Sequence, residues 1–125
     1  MADLASEQGF TMFVQVTIKA GRVDEFLQHY QPMLRKIATE PGFLSIEVFH
    51  SEENANRLCW VENWNTSKTW FREQILTRPY VRQYLDSTKP LCDGERSMTT
   101  WNRLGGDYAV AKKGVYREPS VDTAE

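Results

Sequence analysis

Residues 12–19, MFVQVTIK, alternate strictly. Met12, Val14, Val16 and Ile18 fall on one side, and Phe13, Gln15, Thr17 and Lys19 on the other. A period of two is the mark of a strand with one face buried. Ala20-Gly21 ends it, and the period then changes. Val23, Phe26, Leu27, Tyr30, Leu34, Ile37 and Ala38 recur at helical spacing, which predicts an amphipathic helix over 22–39. Pro32 lies inside it, where its missing N–H and its ring are expected to kink or divide the helix. Glu40-Pro41-Gly42 stops the helix and turns the chain.

FLSIEVFHS predicts a second strand, with Leu44, Ile46 and Val48 on one face and Phe43, Ser45, Glu47 and Phe49 on the other. EENAN is a tight connection to a third strand, Arg57 to Trp64, expected to pair with the second as a hairpin. Thr66 or Ser67 can cap a helix from Lys68 to about Leu76. Thr77-Arg78-Pro79 opens another helix running to about Ser87, with proline in its first turn. A fourth strand is expected from about Arg96 to Leu104. The order β-α-β-β-α-α-β is the split pattern of an α+β, ferredoxin-like protomer: a four-stranded antiparallel sheet with helices on one face. Residues 1–10 are expected as a flexible lead, 11–104 as the domain, and 105–125 as a C-terminal arm or disordered tail. The second sheet face carries Phe13, Phe49, Cys59 and Val61, so burial in a symmetric homodimer is expected.

Composition narrows the function. The chain has 125 residues, a net charge of −2 and interspersed charges, so no basic stripe suggests nucleic acid. No apolar run approaches a membrane span, and the opening residues do not read as a secretory leader. Cys59 and Cys92 have no metal or redox spacing and read as reduced thiols of a cytoplasmic protein. With two histidines and no P-loop, GxGxxG, HExxH or GxSxG motif, no metal and no cofactor are expected.

Chemistry concentrates in CWVENWNTSKTW, Cys59 to Trp70, which holds three of the four tryptophans. Leu58, Trp60, Glu62 and Trp64 share one strand face. If that face meets the helices, Trp60 and Trp64 line a pocket with Trp70 nearby, and their indole N–H groups can donate to a ketone or developing enolate oxygen. The alternative is a tryptophan core with its N–H groups satisfied. Glu62 reads as a structural carboxylate paired with an arginine or a helix end; buried and unpaired, it would instead become a candidate base. Tyr30 lies on the apolar stripe of the first helix, and Tyr80 and Tyr84 share a face of the last one. His29 and His50 read as solvated.

KAGRVDEF after the first strand, EPGFLSIEV after the first helix, ENW closing the third strand and RPY opening the last helix together resemble the antibiotic biosynthesis monooxygenase family over about residues 10–104. The resemblance implies a dimer whose sheets face one another and a pocket between each sheet and its helices. Some members oxidise anthrone-like polyketides to quinones with O₂ and no cofactor. Their tryptophan at the end of the third strand matches Trp64, and their basic residue on the last helix is assigned to Arg82. Their asparagine four residues before that tryptophan is Trp60 here, and their tyrosine six residues after it is Trp70. The haem-degrading members' residues fall on Val14, Gln74 and Tyr84, three departures that argue against that branch.

The expectation is therefore a cofactor-independent oxygenase acting on a small aromatic substrate. Trp64, Arg82 and Tyr84 are the catalytic candidates, and Tyr30, Trp60, Glu62, Trp70 and Tyr80 the substrate-binding ones. A cyclase, isomerase or dehydratase, and a non-catalytic binding or stress protein, stay open as alternatives.

Overall fold

The computed structural model describes residues 9–119. Four strands, β1 (Phe10–Thr17), β2 (Phe43–His50), β3 (Arg57–Trp64) and β4 (Ser97–Asn102), form one sheet in the order β2-β3-β1-β4. Every neighbouring pair is antiparallel. The helices are α1 (Val23–Ile37), α2 (Lys68–Trp70, continuing as a π turn over Phe71–Ile75) and α3 (Pro79–Thr88). Strand order and composition are those of the α+β, ferredoxin-like protomer read from the pattern.

The alternation of β1 is realised as expected: Met12, Val14, Val16 and Ile18 are buried, while Phe13 and Gln15 are exposed. The strand starts earlier than the domain boundary at residue 11, because Gly9 and Phe10 are also buried and Phe10 pairs with Trp64. The rest of the expected lead, residues 1–8, and residues 120–125 lie outside the described part. Pro32 does not divide α1. It is exposed, so the Gln28 carbonyl that loses its helical partner can be hydrated.

β2 departs from simple alternation. Phe43 pairs with Trp64 and Ser45 with Asn63, so Leu44 is an extra residue that bulges outward at 44% exposure. The bulge turns Phe43 onto the helix side, against Trp64, together with Ile46 and Val48. The second helical stretch also differs from a regular helix. Ser67 Oγ caps its start by accepting from the Trp70 N–H at 3.0 Å. The wide turn that follows closes from the Leu76 N–H to the Phe71 carbonyl and aims Phe71 and Ile75 at the core. Thr77 does not cap α3; its hydroxyl donates back to the Glu73 carbonyl.

On the outer sheet face a polar row runs across three strands. Thr11 Oγ1 donates to Asn63 Oδ1, and Asn63 Nδ2 donates to Ser45 Oγ at 3.0 Å. Beside this row Phe13, Phe49 and Trp101 are 43%, 44% and 62% exposed. The chain after β4 makes one short turn at Gly106–Tyr108 and returns to β2, where the Tyr116 hydroxyl donates to Glu47. No helix among the described residues is long and apolar enough to cross a membrane.

Candidate active site

Pairing of β3 between β2 and β1 settles which of its faces meets the helices: Leu58, Trp60, Glu62 and Trp64 are all buried. Side chains two residues apart on a strand share a face, so the two indoles flank the carboxylate. Trp60 Nε1 donates to Glu62 Oε2 at 2.8 Å, and Trp64 Nε1 donates to Glu62 Oε1 at 3.0 Å. Glu62 is only 7% exposed. Burial pushes its carboxyl above the ordinary glutamate range; the Trp64 and Trp60 hydrogen bonds and the charge of Arg96 oppose the shift without cancelling it. The partner expected for Glu62 was an arginine or a helix end. Two indoles take that place because the strand's own period brings them there.

This geometry revises the part expected of the tryptophans. Trp60 and Trp64 are 2% and 0% exposed, and their N–H groups are committed to Glu62 rather than free for a ligand. Trp64 also packs edge-on against Phe43 and Phe71. Trp70 is half-buried at the edge of the same core.

Tyr30 and Tyr84 approach Trp60 from α1 and α3. The Tyr30 ring lies 4.9 Å from Trp60 and 5.7 Å from Tyr84, with Phe26 about 6 Å from all three. Both tyrosine hydroxyls are buried; among the described residues Tyr30 has no hydrogen-bond partner, and Tyr84 has only a contact with the Arg96 guanidinium that falls short of good hydrogen-bond geometry. That is costly for a hydroxyl unless something else supplies the partner. Burial, with the negative charge of Glu62 next, lifts the Tyr30 hydroxyl well above its ordinary value. Burial lifts Tyr84 to about 12, opposed by the nearby Arg96 cation.

Arg96 is the residue that sequence reasoning missed. Its guanidinium lies over the rings of Tyr84 at 5.6 Å and Trp60 at 5.8 Å, and it forms no salt bridge with any described residue. Arg82, assigned this cationic part, is exposed instead. The buried positions of α3 are Val81, Tyr84 and Thr88, and Arg82 lies one residue off that stripe. The spacing of that stripe was the available signal against Arg82. Nothing local marks Arg96, which enters the site from the turn before β4.

Tyr80 belongs to a different group. Its hydroxyl donates to Glu40 Oε2 at 2.6 Å, and Arg78 holds the same carboxylate through Nε and Nη2 at 2.9 and 3.0 Å. This ties the start of α3 to the chain leaving α1. Between these helices a cleft of about 190 Å³ has Tyr84 in its wall, with His29, Lys36 and Gln83. A second cleft, of about 310 Å³, lies between α3 and the turn before β4 and is lined by Leu85, Lys89, Cys92, Gly94, Glu95 and Arg96. His29 and His50 are exposed. No three His, Cys, Asp or Glu side chains among the described residues are grouped to hold a metal ion.

Fold and site thus define a ferredoxin-like α+β protein with a buried carboxylate set among aromatic rings. A family model described as antibiotic biosynthesis monooxygenase matches residues 9–73, just over half of the chain, and the chain belongs to this family. Solved structures repeat the fold. A conserved protein from Methanosarcina mazei Go1 is 16% identical with a TM-score of 0.69, over 75% of this chain and 91% of that one. A candidate antibiotic biosynthesis monooxygenase from Nitrosomonas europaea is 16% identical with a TM-score of 0.67, over 76% and 89%. SnoaB, a cofactor-independent oxygenase from Streptomyces nogalater, is 15% identical in a mutant form, with a TM-score of 0.66 over 78% and 95%. At these identities the likeness is one of fold. A search of curated proteins found no significant match.

Proposed function

We propose that this chain is a cofactor-independent monooxygenase that oxidises an aromatic polyketide of anthrone or hydroquinone type to a quinone with O₂. The observation that carries the reading is the Glu62 carboxylate, buried between two indole donors and facing a cluster with two buried tyrosine hydroxyls, of which Tyr30 has no partner among the described residues. A carboxylate with a raised pKa is a stronger base than one in water, and fixed donors around it keep its oxygens aimed.

In this reading Glu62 takes a proton from the acidic methylene of an anthrone. The electron pair left on carbon delocalises onto the ring oxygen, where the Tyr30 and Tyr84 hydroxyls donate. The anion passes one electron to O₂, and the resulting radical and superoxide join in a carbon–oxygen bond. The peroxide takes a proton, the second C–H proton leaves, and the O–O bond breaks to give the ketone and water. The balance is CH₂ + O₂ → C=O + H₂O, with the substrate supplying all the electrons. Trp60 and Trp64 are positioning residues that act through Glu62. Support for a homodimer comes from the exposed Phe13, Phe49 and Trp101 on the outer face, which a second sheet would cover.

A second reading uses the same base without oxygen, as a cyclase, isomerase or dehydratase on a similar substrate. It rests on the raised Glu62 pKa alone. Oxygen uptake by metal-stripped protein given an anthrone, with product analysis, separates the two. The oxygenase reading expects uptake above the spontaneous rate, quinone as product, and a loss of roughly 100-fold or more in Glu62→Gln. Conversion of substrate with no oxygen consumed favours the second reading. Neither uptake nor conversion leaves the site as a binding or packing element.

A further inference from the structure

The Tyr30–Trp60–Tyr84 cluster is closed, with ring centroids 4.9 to 5.7 Å apart where Tyr30 meets the other two. A ligand that reaches the Tyr30 and Tyr84 hydroxyls must therefore enter past a group that can move. Tyr84 and Arg96 each belong both to a surface cleft beside α3 and to the inner cluster, and of the two Arg96 is the half-exposed one. It lines the cleft with Lys89 and Glu95, and its guanidinium covers the inner rings of Tyr84 and Trp60. An arginine over aromatic faces and beside a neutral hydroxyl is held by contacts that a carboxylate readily replaces. It has no carboxylate within salt-bridge distance among the described residues. Gly94, two residues before it, has φ +91°, a conformation that glycine adopts freely, and open space surrounds it.

We propose that Arg96 is the entrance residue of the site and selects flat aromatic ligands that carry a carboxylate. This rests on the cluster being a ligand site, but not on oxygen being the co-substrate. The acid group pairs with the guanidinium at the cleft, and the side chain follows it outward from the rings. The ring system then takes the vacated face of Trp60 and Tyr84, within reach of the Tyr30 and Tyr84 hydroxyls. Arginine suits this part because its planar fork matches a carboxylate bidentately and also stacks on rings. The charged groups around the mouth are Lys89 and Glu95 in the cleft, Lys19 near Cys92, and Glu62 behind the rings. Lys89 adds to the attraction at the cleft, and the inner Glu62 turns an acid group away from the cluster's depth.

The test compares 1-naphthoate with its neutral isostere naphthalene-1-carboxamide, by tryptophan fluorescence titration at neutral pH and low salt. The wild-type protein is expected to bind the acid roughly tenfold or more tightly than the amide, a preference that weakens with added salt. Arg96→Gln should erase the preference by weakening only the acid, and Arg96→Lys should keep part of it. Far-UV circular dichroism checks that both variants are folded; the wild-type acid-to-amide ratio needs no variant. Equal binding of acid and amide by the wild type, an undiminished preference in a folded Arg96→Gln, or no binding of either probe overturns the proposal. An intact acid preference with no oxygen uptake on an anthrone would sink the oxygenase reading and leave this one standing.

Discussion

The indole N–H of Trp60 points at the carboxylate of Glu62, two residues further along the same strand, at 2.8 Å. Trp64 completes the clamp from the other side at 3.0 Å. The two donors favour the charged form that burial disfavours. Glu62→Ala should therefore orphan two buried donors and cost about 1–3 kcal/mol for each, read by urea unfolding. The pH dependence has a definite sign. Because the folded-state pKa of Glu62 is raised above 4.5, its contribution to stability is fully present below that value and is lost as pH rises through the folded-state pKa. Glu62→Gln should abolish that loss, so unfolding free energies of the two proteins measured from pH 4 upward should diverge and then run parallel.

Tyr30 should separate stability from function. Tyr30 buries a hydroxyl with no partner among the described residues, so Tyr30→Phe is expected to stabilise the fold by about 1 kcal/mol or leave it unchanged, whereas Tyr84→Phe also gives up the Arg96 contact and should cost up to about 1 kcal/mol. The same changes should slow turnover of an anthrone. Thermal unfolding and oxygen uptake on the same samples check both halves. Clear destabilisation by Tyr30→Phe would show that its hydroxyl is satisfied in the folded protein.

Tyr80 should behave in the opposite way. Its hydroxyl donates to Glu40 at 2.6 Å in a group that joins α1 to α3, away from Glu62. Tyr80→Phe should cost about 1 kcal/mol of stability and leave the affinity of the site for aromatic ligands unchanged. Chemical denaturation and fluorescence titration measure the two quantities.

Gly9 is a backbone requirement. Its φ of +80° and its approach to the Trp64 carbonyl leave no room for a Cβ, because one built there overlaps that oxygen. Gly9→Ala should cost on the order of 3 kcal/mol or more, since both the backbone conformation and the β1–β3 contact must give way. A thermal midpoint within 2 or 3 degrees of wild type, on the order expected for a neutral change, would contradict this.

These positions show where the sequence was readable. The alternation of Met12 to Ile18 and the stripe of α1 are local patterns, and they set the strand, the helix and their buried faces. The face of β3 was readable as a set, Leu58 to Trp64, but not as a clamp, because spacing does not say that two indoles turn toward one carboxylate. Gly9 sat in a stretch read as a lead; its constraint comes from Trp64, 55 positions away in the chain. The alternation of FLSIEVFHS puts Leu44 with Ile46, because a bulge leaves no mark on it. Arg96 follows a turn, and its position over Tyr84 depends on how β4 joins the sheet edge.

The most direct measurement is the side-chain carboxyl carbon shift of Glu62 followed by NMR across pH, with the Trp60 and Trp64 indole N–H signals in the same samples. A midpoint above 4.5 is expected, with both indole signals moving with it. A midpoint at or below the ordinary glutamate value, or indole signals that do not respond, would contradict the buried base on which the proposed chemistry depends.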